Sequence, residues 1–334
     1  MPQSPFPGTT DRRIDALLAL LSDNTMIVIS GAKIARETGV TRLTVWRWIQ
    51  RLRALGVRVK GHPRTGYQIE EVPDILTPKL LHRRLHPGAL GKHIHHFFKI
   101  DSTNSVAMTL GERDEPHGSV VIAEEQTAGR GRAGHTWHSE KTSGIYMTVL
   151  LRPPISPQQA PLITLVAGLA VRETILEQTG LTPDLRWPND LLFGRKKFCG
   201  ILTEMNAEQD RIHFVAVGIG INVNHEHIPT ELSKIATSLR IETNRAQSRV
   251  EIVARLLRHL DSYYNRFLSE GPEAIVARFC EVSSYAHGKR VRIETPSETY
   301  TGTTEGLEPG GLLRVRRDDG RILPVIAGTL SEAD

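Results

Sequence analysis

Two segments of this 334-residue chain gather side chains suited to anions. Gly129-Arg130-Gly131-Arg132-Ala133-Gly134 sets two guanidinium groups two residues apart among three glycines. Glycine lets a backbone come close to a ligand and adopt positive φ. Arginine forks bind phosphate or carboxylate bidentately. The Gly-Lys-Ser/Thr ending of a Walker A loop is missing, and no helix follows directly as the dinucleotide fingerprint requires. A flexible basic turn is the competing reading. Farther on comes Arg186-Trp187-Pro188-Asn189-Asp190-Leu191-Leu192-Phe193, then Gly194-Arg195-Lys196-Lys197-Phe198-Cys199-Gly200-Ile201-Leu202-Thr203-Glu204. Proline removes a ladder hydrogen bond inside a strand pattern. Polar residues between apolar ones must be satisfied or functional. A simple turn is again the alternative. Gly218-Ile219-Gly220-Ile221-Asn222-Val223-Asn224 ends a long apolar strand, and a single Gly-x-Gly is weak by itself.

A third concentration is basic and N-terminal. At 100° per residue, Val45, Trp48, Ile49, Leu52 and Leu55 form a core face, and Leu43, Trp46, Arg47 and Gln50 lie opposite. Arg42, Arg51 and Arg53 flank them. Residues 36–64 hold eight basic side chains and one acid, Glu37. A helix in a DNA major groove needs a few base-reading side chains and flanking cations for phosphates. Arg47 suits guanine and Gln50 suits adenine, while Arg64 on a hairpin tip would reach the backbone or minor groove. The competing reading is a winged helix used for protein contacts.

The elements that must position these residues follow from periodicity and turn chemistry. Ile14, Leu17, Leu18 and Leu21 give a helical stripe over 11–21. A short helix over 31–38 ends at Gly39 as a left-handed cap. Thr41 caps a third helix that stops near Gly56. Strand 57–60, a basic turn and strand 67–69 complete a winged helix-turn-helix order. A linker spans 71–78. Strands are expected at 119–124, 145–151, 184–193, 198–205 and 213–223. Helices are expected at 161–178 and, from the Ser248-x-x-Glu251 capping box, over 248–268. From Gly288, short strands around the 309–311 and 318–320 turns predict a small β-barrel. The expected domains are 1–72, 73–283 and 284–334.

Charge agrees with this division. The chain carries 42 basic and 37 acidic residues, a net +5. Residues 1–72 hold 11 basic and 6 acidic residues, and the rest holds 31 of each, so the whole excess sits in the first module. Such asymmetry points to a nucleic-acid-facing head on a neutral body. Membrane insertion is not expected, since the best apolar run, 161–171, falls short of about 18 residues. Residues 1–8 resemble no secretory signal and read as a disordered tail. Two distant cysteines, Cys199 and Cys280, make no disulfide framework, so a cytoplasmic location is expected. The clusters His93, His95, His96 and His225, His227 read as solvated or strand-face histidines rather than metal ligands.

Ser102-Thr103-Asn104, the Gly-Arg-Gly-Arg loop, the Trp-Pro-Asn-Asp run, the Lys197-x-x-Gly-Ile-Leu segment and the Gly-Ile-Asn-Val-Asn strand end occur in order. Together they resemble the biotin–protein ligase family. The winged helix in front resembles its bifunctional ligase/repressor form. The resemblance covers nearly the whole chain. It implies an α+β multidomain fold: a winged helix-turn-helix, a central α/β ligase domain with a mixed, class II synthetase-like sheet, and a C-terminal SH3-like β-barrel. It implies that biotin and ATP, with Mg²⁺, give biotinyl-5′-AMP, and that biotin passes to a lysine of a biotin carboxyl carrier protein. No enzyme nucleophile is needed, in keeping with the lack of a Ser/His/Asp or Cys/His constellation near the motifs. Catalysis is then neutralisation and alignment of two anions by Lys197, Arg130 and Arg132. By motif position, Ser102, Thr103, Asn104, Gln126, Arg130, Gly131, Arg132 and Lys197 should contact biotin. Gly129, Arg130, Arg132, Trp137, Asn189 and Asn222 should contact the adenylate, and Asp190 is the metal-side carboxylate. DNA contacts fall to Arg42, Leu43, Trp46, Arg47, Gln50, Arg51 and Arg64. Operator DNA and an adenylate-dependent homodimer are the implied partners. Three departures stand out: Ala133 and His135 where repressor-type relatives carry arginines, Arg186 in place of a lysine, and Cys199 in place of a smaller residue. A lipoate-type ligase and a ligand-sensing regulator with little catalysis are the rival readings.

Overall fold

The stripe Ile14, Leu17, Leu18 and Leu21 is buried along α1 (Arg12–Asp23) in the computed structural model, which describes residues 12–71, 74–86, 88–295, 298–326 and 328–333. The expected tail and helix start at Asp11 fall outside these residues, as do Val72 and Pro73 of the linker. Helix α2 (Gly31–Thr38) is capped by the Ser30 hydroxyl and stopped by Gly39 at φ 68°. Thr41 caps α3 (Arg42–Ala54) by accepting from the Thr44 amide. Strands β1 (Val59–His62) and β2 (Gly66–Ile69) pair antiparallel as the wing. Val45, Ile49 and Leu52 of α3 join Ile34 and Ile69 in the module's core.

The body follows: α4 (Pro78–His82), β3 (Ile94–Phe97), α5 (Thr103–Gly111), β4 (Val120–Ala123), β5 (Gly144–Leu151), α6 (Ala160–Thr179), β6 (Asp184–Arg186), β7 (Asp190–Phe193), β8 (Lys196–Ala207), β9 (Ile212–Asn222), α7 (Leu239–Thr243), α8 (Arg249–Glu270) and α9 (Pro272–Val282). A seven-stranded sheet runs β3-β4-β5-β9-β8-β7-β6. Only β3 and β4 pair in parallel, so the sheet is mixed. Strand parity divides its faces. Ile145, Met147, Val149, Val215, Val217, Ile219 and Ile221 face α6 and α8 in the main core. On the other face α5 packs Val106, Ala107 and Leu110 against Phe97, Val121 and Ala216.

The structure corrects one expectation and explains another. Residues 184–193 form a hairpin, not one strand, because the ladder cannot pass through Pro188, and Arg186 pairs back onto Asp190. Residues 157–179 are long and apolar enough to cross a membrane, with mean hydropathy 1.3 over an 18-residue stretch, although no single unbroken apolar run is that long. That helix is the core helix of the body, wrapped by the sheet, α8 and α9, and 67% of its most apolar 18-residue stretch is buried.

The C-terminal segment comprises β10 (His287–Glu294), β11 (Thr299–Leu307), β12 (Leu313–Arg317), β13 (Ile322–Val325) and β14 (Thr329–Glu332). It is a five-stranded antiparallel sheet ordered β13-β12-β11-β10-β14. Among the described residues its edge strands do not pair, so the expected barrel is seen as an open sheet. It is fastened to the body where Trp187 Nε1 donates to the Gly311 carbonyl at 2.9 Å.

Candidate active site and nucleic-acid interface

The pocket floor follows from a run of absent side chains. On β9 the residues alternating with the core-facing ones are Ala216, Gly218 and Gly220. In register, Gly218 lies between Thr148 and Leu202, and Gly220 between Tyr146 and Gly200. The three glycines leave a hollow over the middle of the sheet. A Cβ on Gly218 would come 2.1 Å from Asn104 Oδ1, one on Gly220 2.6 Å from the Trp137 ring, and one on Gly200 3.0 Å from Lys197 Nζ. The loop at 126–139 and the first turn of α5 close the hollow from above.

That first turn carries Ser102, Thr103 and Asn104, all buried. Gln126 Oε1 accepts from the Thr103 amide at 2.8 Å and its hydroxyl at 3.1 Å. The Thr148 hydroxyl donates to Asn104 Oδ1 at 2.6 Å and lies 2.9 Å from Thr103 Oγ1. The Asn104 amide donates to the Leu202 carbonyl at 3.2 Å and to Glu204 at 2.8 Å.

The anion-suited residues meet at the same pocket. Lys197 Nζ lies 2.5 Å from Asp190 Oδ1, and Arg186 Nη2 lies 2.7 Å from Asp190 Oδ2. Burial works to raise the Asp190 pKa, but Lys197 and Arg186 outweigh it and hold the carboxyl below its ordinary value. Arg132 donates to Asn189 Oδ1 at 3.3 Å and to the Gly328 carbonyl at 3.4 Å. Burial lowers its guanidinium pKa, with Asp190 acting against the shift. Arg130 forms an ion pair with Glu204 at 2.7 Å. Trp137 lies across the pocket, with Lys197 Nζ 5.4 Å from its ring centroid and its buried indole N–H without a partner. An orphaned buried donor beside three cations marks a site built for a hydrogen-bonding, anionic ligand.

Most expected site residues therefore converge. Ser102, Thr103, Asn104, Gln126, Arg130, Gly131, Arg132, Trp137, Asn189 and Lys197 line one pocket. Gly129 backs onto Gln126 and the Trp137 carbonyl. Asn222 stands beyond the lining, its amide spent on the Thr237 carbonyl at 3.0 Å. Asp190, expected on a metal, has both oxygens taken by cations. Ala133 and His135 are exposed, and Ala133 is held at φ 52°. Cys199 is fully buried, and burial pushes its thiol pKa up, as packing rather than reactivity requires. Gly200, Thr148 and Glu204 were given no role by sequence. Glycine at alternate positions of an apolar strand was the signal for the floor.

A larger surface hollow lies elsewhere, around Arg152 and Phe214. Arg152 is spent there on the carbonyls of Gly111, Glu115 and His213, which leaves exposed Arg211 as the other arginine in its lining.

On the winged helix, Leu43 and Trp46 are 57% and 50% exposed, beside exposed Arg42 and Arg47 and half-buried Gln50. Arg64 sits exposed in the wing turn at φ 66°. Arg51 departs from the expected DNA face, since its guanidinium lies 4.6 Å from the Phe98 ring centroid of the body. Lys141 Nζ donates to the Ala54 carbonyl at 2.6 Å, placing a cation at the C-terminus of α3, where it favours the helix dipole.

Comparison with known proteins agrees in all three segments. Residues 97–222 match the Biotin/lipoate A/B protein ligase family, residues 13–68 an HTH domain, and residues 286–331 the Biotin protein ligase C terminal domain. The chain is 35% identical over 306 residues to the bifunctional ligase/repressor BirA of Bacillus subtilis, covering 91% of this chain and 94% of that one. It is 27% identical to the protein of the same description from Escherichia coli, covering 94% and 95%. A biotin protein ligase from Aquifex aeolicus, solved in complex with biotin and ATP, superposes with a TM-score of 0.63 at 29% identity. That match covers 72% of this chain and all of the other.

Proposed function

This chain belongs to the biotin–protein ligase family, in the form that carries an N-terminal winged helix, and from that premise we propose how its residues divide the work. It is an ATP-dependent biotin ligase and a DNA-binding repressor. The observation that carries the assignment of roles is the convergence of Arg130, Arg132 and Lys197 on a glycine-floored pocket.

In the first step a biotin carboxylate oxygen bonds to the α-phosphorus of ATP, and the bond to pyrophosphate breaks. Both reactants are anions, so the main barrier is charge and alignment. Lys197 and Arg132 neutralise the carboxylate and phosphate, and Arg130 closes the loop over them. Thr103, Asn104 and Gln126, with Ser102 beside them, supply the donors and acceptors that the ureido ring of biotin needs. Trp137 offers an aromatic face to adenine and Asn189 a polar edge. In the second step a neutral lysine amine of the acceptor attacks the acyl carbon, AMP leaves, and the amine loses its proton. The acceptor in this reading is a biotin carboxyl carrier protein.

Mg²⁺ enters this reading with the phosphates of ATP, as that ion prefers. Asp190 is already neutralised by two cations, and among the described residues no group of three or more His, Cys, Asp or Glu is placed to hold an ion. Asp190 is then the residue that steadies Lys197. The proposed domain limits are 1–72, 73–283 and 284–334, with SH3-like curvature in the last. The adenylate favours a homodimer that sets two winged helices on a two-fold operator, by linkage of ligand, dimer and DNA.

The test is direct. Purified protein given ATP, Mg²⁺ and biotin should yield biotinyl-AMP by mass spectrometry. No adenylate would overturn the assignment.

A further inference from the structure

Glu204 lies on β8 on the same face as Gly200 and Leu202, which line the pocket, and stands at its edge against two further lining residues, Asn104 and Arg130. Its Oε2 accepts from Asn104 Nδ2 at 2.8 Å and from Arg130 Nη2 at 2.7 Å. Asn104 is buried in the first turn of α5, and Arg130 belongs to the glycine loop and is about half exposed. One carboxylate oxygen thus joins the wall of the pocket to its lid. It is the last link of a continuous series that runs from Gln126 through Thr103, Thr148, Asn104 and Glu204 to Arg130.

The chemistry of that oxygen dictates what it does. A carboxylate only accepts, so Asn104 must turn its NH₂ toward Glu204 and its carbonyl toward Thr148. Either group of an unrestrained amide could face a ligand. On the other side, the charged pair holds a single nitrogen of Arg130, and the rest of that guanidinium keeps its N–H donors for a ligand. We propose that Glu204 is a positioning residue that fixes the Asn104 amide and tethers the glycine–arginine loop, coupling the biotin end of the pocket to the phosphate end. This rests on the ligase reading above.

Two substitutions separate the two contacts. Glu204→Ala removes both, while Glu204→Gln keeps an acceptor for Asn104 and loses the charge that holds Arg130. Biotin titration of the full chain should show affinity falling about tenfold in Glu204→Ala and staying within about threefold in Glu204→Gln. Limited trypsinolysis of the ligand-free protein should show cleavage after Arg130 and Arg132 rising about fivefold or more in both variants. Cleavage elsewhere and the melting temperature should be unchanged. The proposal is overturned if Glu204→Ala leaves both readouts within about twofold of wild type. It is also overturned if the two variants lose biotin affinity equally, or if cleavage rises at all sites together with a fall in melting temperature. Wild-type protein that forms no biotinyl-AMP would refute the ligase reading instead, and the cleavage comparison, which needs no activity, would still decide the Glu204 contact.

Discussion

Replacing Lys197 with alanine tests the electrostatic core of the mechanism, because the structure separates its charge from its scaffold. The ammonium is 2.5 Å from Asp190 and part of the pocket lining. The scaffold is backbone: the Lys197 amide donates to the Ile235 carbonyl, and Phe198 behind it stacks on Phe193. Two unit charges about 4 Å apart at an effective dielectric of about 20 interact by about 4 kcal/mol. At about 1.4 kcal/mol per decade that is a rate loss of about 10³. The loss of Lys197 also leaves the Asp190 carboxylate facing the phosphates with Arg186 as its remaining ion-pair partner, which acts in the same direction. Stability should move by only about 1 kcal/mol, since that second ion pair persists. Lys197→Arg keeps the charge but offers a fork that Asp190 can engage bidentately, so a loss of about 10–100-fold is expected. The assay is single-turnover formation of labelled biotinyl-AMP at saturating biotin and ATP, beside a thermal melt. A rate for Lys197→Ala within about fivefold of wild type, with an unchanged melt, would refute the assignment of the phosphate-side charge to this residue.

Other outcomes follow from the same geometry. Gly218→Ala would put a Cβ 2.1 Å from Asn104 Oδ1, against an amide held by three hydrogen bonds. Biotin affinity by calorimetry should therefore fall about 100-fold with an unchanged circular dichroism spectrum. Arg47→Ala should reduce the salt slope of operator binding by about one, whereas Arg51→Ala should leave that slope unchanged because its guanidinium covers Phe98. Burial of Glu124 works to raise its pKa, but Arg249, His96 and the Leu76 amide outweigh it and hold the carboxyl at about 2. The folded value is below the unfolded one, so the group contributes stability above pH ~4.5 and loses it as pH falls toward 2, by about 3 kcal/mol in all. Urea melts between pH 5 and pH 3 should show about 2 kcal/mol of that loss, and Glu124→Gln should flatten it while lowering stability at neutral pH.

Much of the fold was legible because local signals agreed with tertiary need. The α3 cap at Thr41, the αL stop at Gly39 and the Ser248 cap of α8 are short-range chemistry, and each stands where composition placed it. Residues 184–193 were harder. Their apolar run has the length of one strand, and Pro188 marks a break in the ladder without saying which way the chain goes after it. The reversal is fixed from a distance: Trp187 enters the main core and hands its N–H to Gly311, 124 residues away. The turn and functional readings of that run are therefore both right. Reversal is what sets Arg186 directly across from Asp190 and makes their ion pair a cross-strand one.

The site was legible as a set of cations but not as a set of partners, and the reason is parity. Along a regular strand Lys197 would share a face with Cys199 and Ile201, both buried, and point away from Gly200 and Glu204. Leu191 pairs with Cys199 but Leu192 pairs with Lys197, so Phe198 is an extra residue, a β-bulge. A bulge reverses the alternation on one side of itself. Phe198 takes the core position against Phe193, and Lys197 turns over Gly200 toward Asp190. A bulge leaves no mark in composition, so residue types alone could offer Asp190 to a metal. They could not show that the lysine seven residues on would swing back to claim it. The same holds for Glu204, whose meaning depends on which strand faces it. Residue types set what the pocket can bind, and register sets which of its charges wait paired and with whom.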